Sequence, residues 1–488
     1  MLSRVEHKYI VAIVGVFSIF MELLDTTVVN VAIPTLAREF GVASASTIQW
    51  VITGYLLSLA VFIPISGWAG DRFGTKRVFL FALTTFTSAS LLCALSWNIE
   101  SLIAFRVLQG VGGGMLSPVA FSMVWREFPP EERSRAAGIM VVPAAVAPAS
   151  GPVVGGFLVE YLSWEWIFLV NIPIGAAALL ISAFYLREHT EPSPGRFDPA
   201  GFVLSAAALA LVLFSLSEAG ENGFGDPLVL STGVAGITLL ALFAIVELRI
   251  REPMLDVRIF GNRLFRACNL AWLVTMFGGA SMIFLLTLQL QAARGLSALE
   301  AGLTTFTMAI GVMLIAQPAS RIYRFIGPRR MILGGLLVSA GVSLVLATVT
   351  LDTNLWLIRA IMLLRGLGFG FVLVPLQAAT YAQVSPAETG RATALYNATS
   401  QVASSLGVAI AASYLTSRLT HHDAQLGNPL TAAGQLTAFQ DAFLLTGLLA
   451  LAGAAVAFLI HDRDAAATMA QRISAADADE PAAAAAVR

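Results

Sequence analysis

The chain has 488 residues, of which 57% are hydrophobic and only 12% are charged, and its mean hydropathy is +0.80. Soluble proteins carry roughly 25% charged residues, so this composition excludes a soluble globular enzyme, a disordered chain and a fibrous repeat. The formal net charge of −1 gives no basic surface for nucleic acid, and two cysteines in apolar runs, Cys93 and Cys268, indicate no disulfide framework. The sequence therefore predicts an all-α protein that crosses a membrane many times.

Apolar runs of the length needed for a membrane span recur along the whole chain. A helix needs about 20 mainly apolar residues to cross a hydrocarbon core of ~30 Å. Fourteen runs qualify, and in chain order they are 10–32, 47–69, 78–98, 100–123, 136–160, 166–186, 199–218, 228–248, 267–290, 299–318, 331–351, 355–380, 392–416 and 437–460. The first run contains Glu22 and Asp25 and no convincing small-residue cleavage site, so we interpret it as a retained helix and not as a signal peptide.

The positions of the basic residues predict the orientation of these spans. Of the 29 Lys and Arg residues, 23 fall in segments on the side of the N-terminus, 3 on the other side and 3 within spans. Positively charged loops stay in the cytoplasm, so both termini are predicted to be cytoplasmic. If one helix were missed, every later loop would be assigned to the wrong side of the membrane and the charge asymmetry would disappear. The asymmetry therefore also favours the even count of fourteen spans.

Three segments of the first half recur in the second half. The loop around Gly74 matches that around Gly327, Arg106 matches Arg365, and Arg135 matches Arg391, at offsets of 253, 259 and 256 residues. Repeats of this kind build transporters that alternate around a central cavity. We therefore predict an N-terminal six-helix bundle (1–186), a C-terminal six-helix bundle (266–460), an inter-bundle region with two extra spans (187–265) and a disordered cytoplasmic tail (461–488).

Glu22 and Asp25 are the two carboxylates placed well inside a predicted span. A charged residue at the bilayer centre costs at least about 2.5 kcal/mol, so their presence needs a reason. Helical spacing puts them on one face with Ser18, next to Thr26 and Asn30. They are predicted to form a protonatable site that lines a cavity; the alternative is a pair that only holds neighbouring helices together.

Arg106, in span four, is the predicted partner of Asp25. At ~1.5 Å per residue it lies about 9 Å below the outer end of its span, and Asp25 lies about 10 Å from the same surface. An adjacent cation favours the charged form of a carboxyl, so the proton affinity of Asp25 would change whenever the pairing changed. A static ion pair is the alternative interpretation.

Span five is rich in proline and glycine. Span five carries three prolines and four glycines, among them Gly138, Gly151, Pro152, Gly155 and Gly156. Proline interrupts helical hydrogen bonding and glycine allows close helix packing, so span five is predicted to bend and to pack tightly.

The loop between spans two and three mixes an acid with basic residues. Asp71 is predicted to cap a helix or to pair with a basic residue of a neighbouring loop and so latch one conformation; a solvated turn is the alternative. The latch residues are Gly67, Asp71, Arg72, Gly74, Lys76 and Arg77.

No pattern indicates an enzyme or an ATP-driven pump. The five histidines lie in loops or at span ends, and the sequence contains no metal-ligand cluster and no phosphate-binding loop of the Gly-x-x-x-x-Gly-Lys type. We therefore expect no catalytic activity, no metal and no cofactor, with a proton gradient as the energy source.

These segments together resemble the major facilitator superfamily, and specifically its fourteen-span drug:proton antiporters of the EmrB/QacA type. The resemblance covers the chain up to its tail. It rests on the first-span sequence from Leu24 to Pro34, the inner loop from Gly67 to Arg77, the fourth-span sequence from Arg106 to Gly110, the fifth-span sequence from Gly138 to Gly156, and the segment from Trp164 to Pro173. The sequence departs from the family pattern at Ala147, where a glycine would match, and at Arg324, where an acid would match Asp71.

The resemblance implies the major facilitator fold and proton-coupled efflux by alternating access. Asp25, Glu22 and Arg106 would couple protons, the loop with Asp71 would stabilise one state, and span five would carry the antiporter motif. We expect polar residues of both halves to line the substrate cavity: Glu22, Thr26, Asn30, Gln109, Gln289, Arg365 and Gln377.

The predicted function is therefore the export of amphiphilic organic compounds in exchange for protons, as in multidrug pumps or exporters of antibiotics and metabolites. The expected location is the bacterial cytoplasmic membrane, and the expected partners are a small amphiphilic substrate, protons and the lipid bilayer, with the protein working as a monomer. Two alternatives stay open: a proton-coupled importer, which the fifth-span motif disfavours, and a lipid-handling or sensory membrane protein, which needs no titrating pair.

Overall fold

The computed structural model describes residues 6–41, 45–191, 197–250, 253, 255–385, 388–426 and 429–469. In this part of the chain the regular structure is helical. The helices, in chain order, are α1 His7–Glu39, α2 Ala45–Phe73, α3 Thr75–Ala94, α4 Ile99–Glu127, α5 Arg133–Tyr161, α6 Trp166–Leu169, α7 Asn171–Tyr185, α8 Pro199–Asn222, α9 Pro227–Arg249, α10 Arg263–Leu288, α11 Ala298–Ile326, α12 Pro328–Leu346, α13 Leu355–Thr380, α14 Thr389–His421 and α15 Ala432–Ala454.

Local sequence explains where several of these helices begin. Asn98 and Ser297 form capping boxes at the starts of α4 and α11, in which the cap side chain and the residue three positions later satisfy each other's backbone amides. Asp198 and Asp226 cap α8 and α9, and each precedes a proline at the first helical position, where the missing N–H costs nothing.

Most of the predicted spans are helices of membrane-spanning length. Among the described residues, twelve helical segments are long and apolar enough to cross a membrane, and a thirteenth is formed by 130–151 and 153–161, which meet at 40°. The remaining predicted span is α14, which has 33 residues but a more polar composition. Span six is one segment with a break between α6 and α7, where Pro173 has no N–H to donate to the carbonyl of Leu169.

The two halves of the chain repeat one packing scheme. In the first half α1 packs against α5, α2 and α3 pack against α4, and α3 packs against α7; in the second half α10 packs against α14, α11 and α12 pack against α13, and α12 packs against α15. The halves meet where α5 packs against α11 and α2 against α14. This arrangement is the one expected from the sequence repeat.

The two extra helices form a pair at the side of this bundle. Helix α8 packs against α9 and also against α2 and α14, one helix from each half. The pair therefore touches the line along which the two halves meet.

Matching glycine turns join α2 to α3 and α11 to α12. Gly74 and Gly327 have φ values of 100° and 86°, a region that favours glycine. Beside them, Glu188 accepts the backbone N–H of Lys76 at 3.0 Å, and Asp462 accepts that of Arg329 at 2.9 Å. In each half, an acid that follows the last helix thus closes the corresponding turn.

The expectation of a disordered tail does not hold for its first residues. Asp462–Thr468 forms a short 3-10 helix, and the hydroxyl of Thr468 lies 2.5 Å from that of buried Tyr323. The side-chain amide of Gln383 donates to the carbonyl of Asp464 at 2.8 Å. Apolar contacts of Ala465 and these polar contacts hold the segment against the bundle; residues 470–488 lie outside the described part of the chain.

Candidate functional site

Asp25 and Arg106 form an ion pair in the interior of the first half. Nη1 of Arg106 lies 2.5 Å from Oδ2 of Asp25, and the two side chains are 1% and 0% exposed. Matching depth along α1 and α4 had predicted this neighbourhood. Removing one partner of such a buried pair costs about 3–5 kcal/mol, because the remaining charge is left unpaired. The pair links α1 to α4.

Two amides complete the surroundings of the Asp25 carboxylate. Nε2 of Gln109 donates to Oδ1 at 3.0 Å, and Nδ2 of Asn171 donates to the same oxygen at 2.9 Å. Asn171 also donates to the hydroxyl of Ser90, which itself donates to the carbonyl of Phe168. The break between α6 and α7 leaves that carbonyl open to Ser90, so an irregular piece of backbone takes part in the network.

Arg106 is fixed by further contacts with α2. Its Nε donates to the carbonyl of Val51 at 3.1 Å, its Nη1 donates to Oε1 of Gln109 at 2.7 Å, and its guanidinium carbon lies 4.0 Å from the ring centroid of Tyr55. An ionised carboxylate only accepts hydrogen bonds, and here it accepts three. All three donors belong to α4 or α7, so this one carboxylate joins α1 to both helices.

Glu22, one turn away from Asp25, has a different environment. Its Oε2 accepts the hydroxyl of Ser117 on α4 at 2.5 Å, and the residue is 6% exposed. No Lys, Arg or His of the described residues lies within ion-pair distance of its carboxylate. The two acids of α1 therefore differ, since one has a fixed cation and the other has a hydroxyl.

Two other predicted cavity residues, Thr26 and Asn30, lie on α1. The hydroxyl of Thr26, which is half-buried, donates to the carbonyl of Leu23 at 2.7 Å. Asn30 lies within α1, and its side chain is outside the described part of the structure.

The predicted cavity residues of the second half are buried. The guanidinium of Arg365 donates to the carbonyl of Gly278 at 3.0 Å and lies 3.4 Å from the hydroxyl of Ser343. Within the described residues it has no carboxylate partner, in contrast to Arg106. In the part of the chain that the structure describes, the side-chain amide of Gln289 and Oε1 of Gln377 have no hydrogen-bond partner, and both residues are at most 2% exposed. Such polar groups are costly to bury unless another conformation or a ligand satisfies them.

The latch residues meet α14 at one end of the bundle. We call the end that carries His7, Phe73, Glu127 and Arg133 the basic face, and the other end the opposite face. Oδ1 of Asp71 lies 2.8 Å from Nη2 of Arg126 at the end of α4. A Cβ placed on Gly67 would lie 2.8 Å from the carbonyl oxygen of Gly390, so α2 and α14 touch through their backbones here.

The basic residues of the same loop have separate roles. The ammonium of Lys76 donates to the carbonyl of Ala183 at 2.7 Å, and Nε of Arg77 lies 3.6 Å from the carboxylate of Glu188. Arg72 is exposed. Gly67 and Asp71 thus contact neighbouring helices, whereas the basic residues serve the turn itself or solvent.

Helix α5 packs closely on both sides. A Cβ on Gly138 would lie 3.0 Å from the carbonyl of Ala316 on α11, and one on Gly151 would lie 2.1 Å from the hydroxyl of Thr27 on α1. Gly155 is buried, and Gly156 faces open space. The side chain of Pro152 lies outside the described part of the structure.

An aromatic stack joins the two halves near the basic face. Trp125 of α4 stacks on Tyr381 with centroids 5.2 Å apart, and Tyr396 stacks on Trp272 at 4.6 Å. Tyr381 and Tyr396 lie 5.9 Å apart, and Arg133 donates to the carbonyl of Tyr381. Burial raises the pKa of the Tyr381 hydroxyl above its ordinary value, so this side chain stays neutral at physiological pH. The stack therefore closes the basic face with neutral rings.

The sequence predicted Asp25 and Arg106 as neighbours, expected Gln109 to line the substrate cavity, and assigned no role to Asn171 or Ser117. In the structure Gln109 bonds to both Asp25 and Arg106. Asn171 is an amide inside an apolar span, which is a usable signal, although nothing in the sequence says which helix it faces. Ser117 gave no such signal, since hydroxyls are common in helices. The pairing of Arg126 with Asp71 depends on the tertiary packing.

Comparison with known proteins decides the family. The sequence profile of the Major Facilitator Superfamily matches residues 15–408 and 268–476. The chain belongs to the Major Facilitator Superfamily. Its repeated packing scheme is therefore the fold of that superfamily, and the protein is a multi-pass membrane transporter.

Relatives and solved structures agree with this assignment. The transporter is 35% identical to the uncharacterized MFS-type transporter YhcA of Bacillus subtilis over 433 residues, which cover 88% of this chain and 81% of that protein. It is 34% identical to the multidrug resistance protein B homolog of Mycobacterium tuberculosis over 414 residues, 84% and 76% of the two chains.

Two solved structures share the fold. The human organic anion transporter MFSD10 superposes with a TM-score of 0.62 at 18% identity, covering 91% of this chain and 99% of that one. The proton:xylose symporter XylE, bound to 6-bromo-6-deoxy-D-glucose, gives 0.63 at 14% identity, with 91% and 94% coverage. At these identities the likeness concerns the fold alone.

Proposed function

We propose that this transporter is a proton-coupled efflux antiporter that exports amphiphilic organic compounds by alternating access. The observation that carries the proposal is the Asp25 carboxylate, which is buried, paired with Arg106 and held by two amides. The name of the mycobacterial relative, a multidrug resistance protein B homolog, supports the substrate class and the direction. The carrier would sit in a bacterial cytoplasmic membrane with fourteen spans and its basic face toward the cytoplasm.

The network around Asp25 offers a way to couple protons to movement. With Asp25 ionised, one carboxylate joins α1 to α4 and α7. With Asp25 protonated, Arg106 loses its counter-ion, and the helices can shift relative to one another. A proton at Asp25 thus selects between two arrangements, which is the requirement for coupling.

Glu22 is the proposed group for substrate charge. It shares a helix face with Asp25 but has no fixed cation. A cationic substrate could therefore pair with Glu22 in the way that Arg106 pairs with Asp25. The side-chain amide of Gln289 and Oε1 of Gln377, which have no hydrogen-bond partner among the described residues, are the proposed polar contacts from the second half.

The described conformation is closed at the basic face. The backbone contact of Gly67 with Gly390, the packing of Gly138 on Ala316 and the aromatic stack through Trp125 and Tyr381 all join the two halves at this end. With the basic face toward the cytoplasm, this conformation is the outward-facing state of the transport cycle. In this state protons from outside reach the interior.

Substrate-induced proton release tests the proposal directly. Purified protein in a weakly buffered solution is mixed with a panel of lipophilic cations and neutral amphiphiles, and the pH of the medium is followed. For an antiporter we expect a bound substrate to release protons, with the release largest near the pH at which the site is half-protonated. Substrate binding without proton release at any pH would contradict coupling, and obligatory proton uptake with substrate would indicate an importer.

Cysteine accessibility tests the orientation and the span count. Single cysteines at Gly223, between α8 and α9, and at Gln425, between α14 and α15, should react with a membrane-impermeant maleimide added outside intact cells. A cysteine at Ser385, between α13 and α14, should react only in inverted vesicles. External labelling at Ser385 would rule out the proposed topology.

A further inference from the structure

A space lies open beside the buried arginine of the second half. Arg365 is 2% exposed and stands well inside α13, which begins at Leu355. Its Nη2 donates to the carbonyl oxygen of Gly278 on α10 at 3.0 Å. Gly278 is half-buried, and a Cβ placed on it would have no packing neighbour within 4 Å among the described residues. The guanidinium group therefore adjoins a position that no side chain fills.

This open position corresponds to that of the Asp25 side chain in the first half. The offset of 253 residues that relates the two glycine turns also relates Asp25 to Gly278. Helix α1 contacts α4, α5 and α7, and α10 contacts the matching helices α13, α14 and α15. Arg106 donates to the carboxylate of Asp25, whereas Arg365 donates to the backbone of Gly278. The second half thus keeps the arginine and lacks the carboxylate.

Arg365 is left with an incomplete set of partners. Its Nη1 lies 3.5 Å from the carbonyl oxygen of Ser339 and 3.4 Å from the hydroxyl of Ser343, and its Nε has no hydrogen-bond partner among the described residues. No acidic group in this part of the chain acts on the guanidinium electrostatically. A buried cation without a counter-ion is strongly unfavourable, and an ionisable residue inside a membrane bundle points to a functional site.

We propose that the space beside Gly278 receives a carboxylate of the transported compound, which pairs with Arg365 as Asp25 pairs with Arg106. The proposal rests on the export function proposed above and specifies a substrate class for it, namely amphiphiles that carry a carboxylate. An arginine binds a carboxylate through two parallel N–H groups, and the unpartnered Nε of Arg365 is available as one of them. The substrate then supplies the charge that the second half lacks.

Equilibrium binding to the purified full-length transporter tests this substrate class. The probes are 1-pyrenebutyrate and 1-pyrenebutanol, which has the same rings and chain without the charge. We expect the wild-type protein to bind the carboxylate about tenfold more tightly, as one charge-assisted pair predicts, and Arg365→Gln to remove this preference. Arg359→Gln is the matched control, because Arg359 lies on the same helix, half-buried over the ring of Trp356; it should keep the preference.

Two substitutions of Gly278 test the open position even if Arg365→Gln fails to fold. Gly278→Asp places a carboxylate of the chain itself beside Arg365, whereas Gly278→Asn adds the same shape without the charge. We expect Gly278→Asp to melt at a higher temperature than Gly278→Asn, because it alone gives Arg365 a counter-ion. Gly278→Asp should also lose the preference for 1-pyrenebutyrate, since the position is filled and the cation is neutralised.

Chloride distinguishes a transported carboxylate from a free small anion, which offers the same charge without an apolar body. Uptake of 1-pyrenebutyrate is measured in inverted vesicles with an acidic interior, into which a weak acid does not accumulate by diffusion. We expect the wild-type protein to take up the probe in the presence of excess chloride, and Arg365→Gln to show no such uptake. Displacement of bound 1-pyrenebutyrate by chloride, with no uptake, would assign the space to a small anion and refute the substrate class.

Other results would also overturn the proposal. Equal affinities of the wild-type protein for the two pyrene probes would do so, as would an unchanged preference in Arg365→Gln or a Gly278→Asp no more stable than Gly278→Asn. These failures differ from failure of the export proposal. Proton release by tetraphenylphosphonium without any carboxylate preference leaves proton-coupled export standing and refutes the carboxylate site, whereas a retained preference without proton release by any probe contradicts proton coupling alone.

Discussion

Asp25→Asn is expected to abolish uphill export driven by a pH gradient. An amide has the shape of the carboxyl group but cannot titrate, so a proton entering the first half finds no acceptor beside Arg106. Reconstituted Asp25→Asn should therefore fail to accumulate substrate against its gradient, while it still binds substrate with an affinity that no longer depends on pH. Transport into inverted vesicles under an imposed ΔpH and equilibrium binding at several pH values measure the two effects.

Two further variants separate coupling from folding and from recognition. Asp441→Asn is the matched control, because Asp441 also pairs with an arginine, Arg418 at 2.6 Å, but is partly exposed and lies near the opposite face; it should retain uphill export. Glu22→Gln should keep coupling but weaken the binding of cationic substrates by roughly tenfold, equivalent to about 1.4 kcal/mol.

Removing the Asp25 charge leaves Arg106 buried without a counter-ion, which by itself destabilises the fold by about 3–5 kcal/mol. The double variant Asp25→Asn with Arg106→Gln removes both charges and is expected to regain most of the lost thermal stability without regaining uphill export. Uphill accumulation by either stable variant would refute Asp25 as the coupling group and would move that role to Glu22.

Gly67→Ala is expected to slow the transport cycle strongly. The added methyl group would lie 2.8 Å from the carbonyl oxygen of Gly390, a backbone atom that cannot move aside alone. Overpacking of this kind costs about 1–3 kcal/mol, and every 1.4 kcal/mol changes an equilibrium about tenfold. The conformation closed at the basic face should become roughly tenfold less populated relative to the open one, and turnover should fall with it.

Gly70→Ala is a control on the same helix. The nearest atom to a Cβ at Gly70 is the methyl carbon of Thr75 at 3.5 Å, an ordinary contact, so this variant should cycle normally. Turnover and substrate affinity are measured together in proteoliposomes. Equal turnover of the two variants, or a loss of affinity in Gly67→Ala at normal turnover, would contradict the assignment of Gly67 to closure of the basic face.

The sequence alone determined the class of the protein, the helices and one half of the candidate site. Hydrophobic runs of about 20 residues predict spans because the bilayer thickness fixes their length. The neighbourhood of Asp25 and Arg106 was also predictable, since two charges at equal depth in a medium of low polarity have strong reason to meet.

Only the tertiary structure decided which side chains complete that site. Asn171 reaches Asp25 because α7 packs against α1, Ser117 reaches Glu22 because of the rotation of α4, and Arg126 reaches Asp71 across two helix ends. Glu247 shows the same limit most clearly. It stands near the end of an apolar run, a position that does not show whether the side chain is buried, and in the structure it is 0% exposed. The depth of a residue along a helix follows from counting residues. The direction in which its side chain points depends on how each helix is rotated against its neighbours, and contacts between residues far apart in the chain determine that rotation.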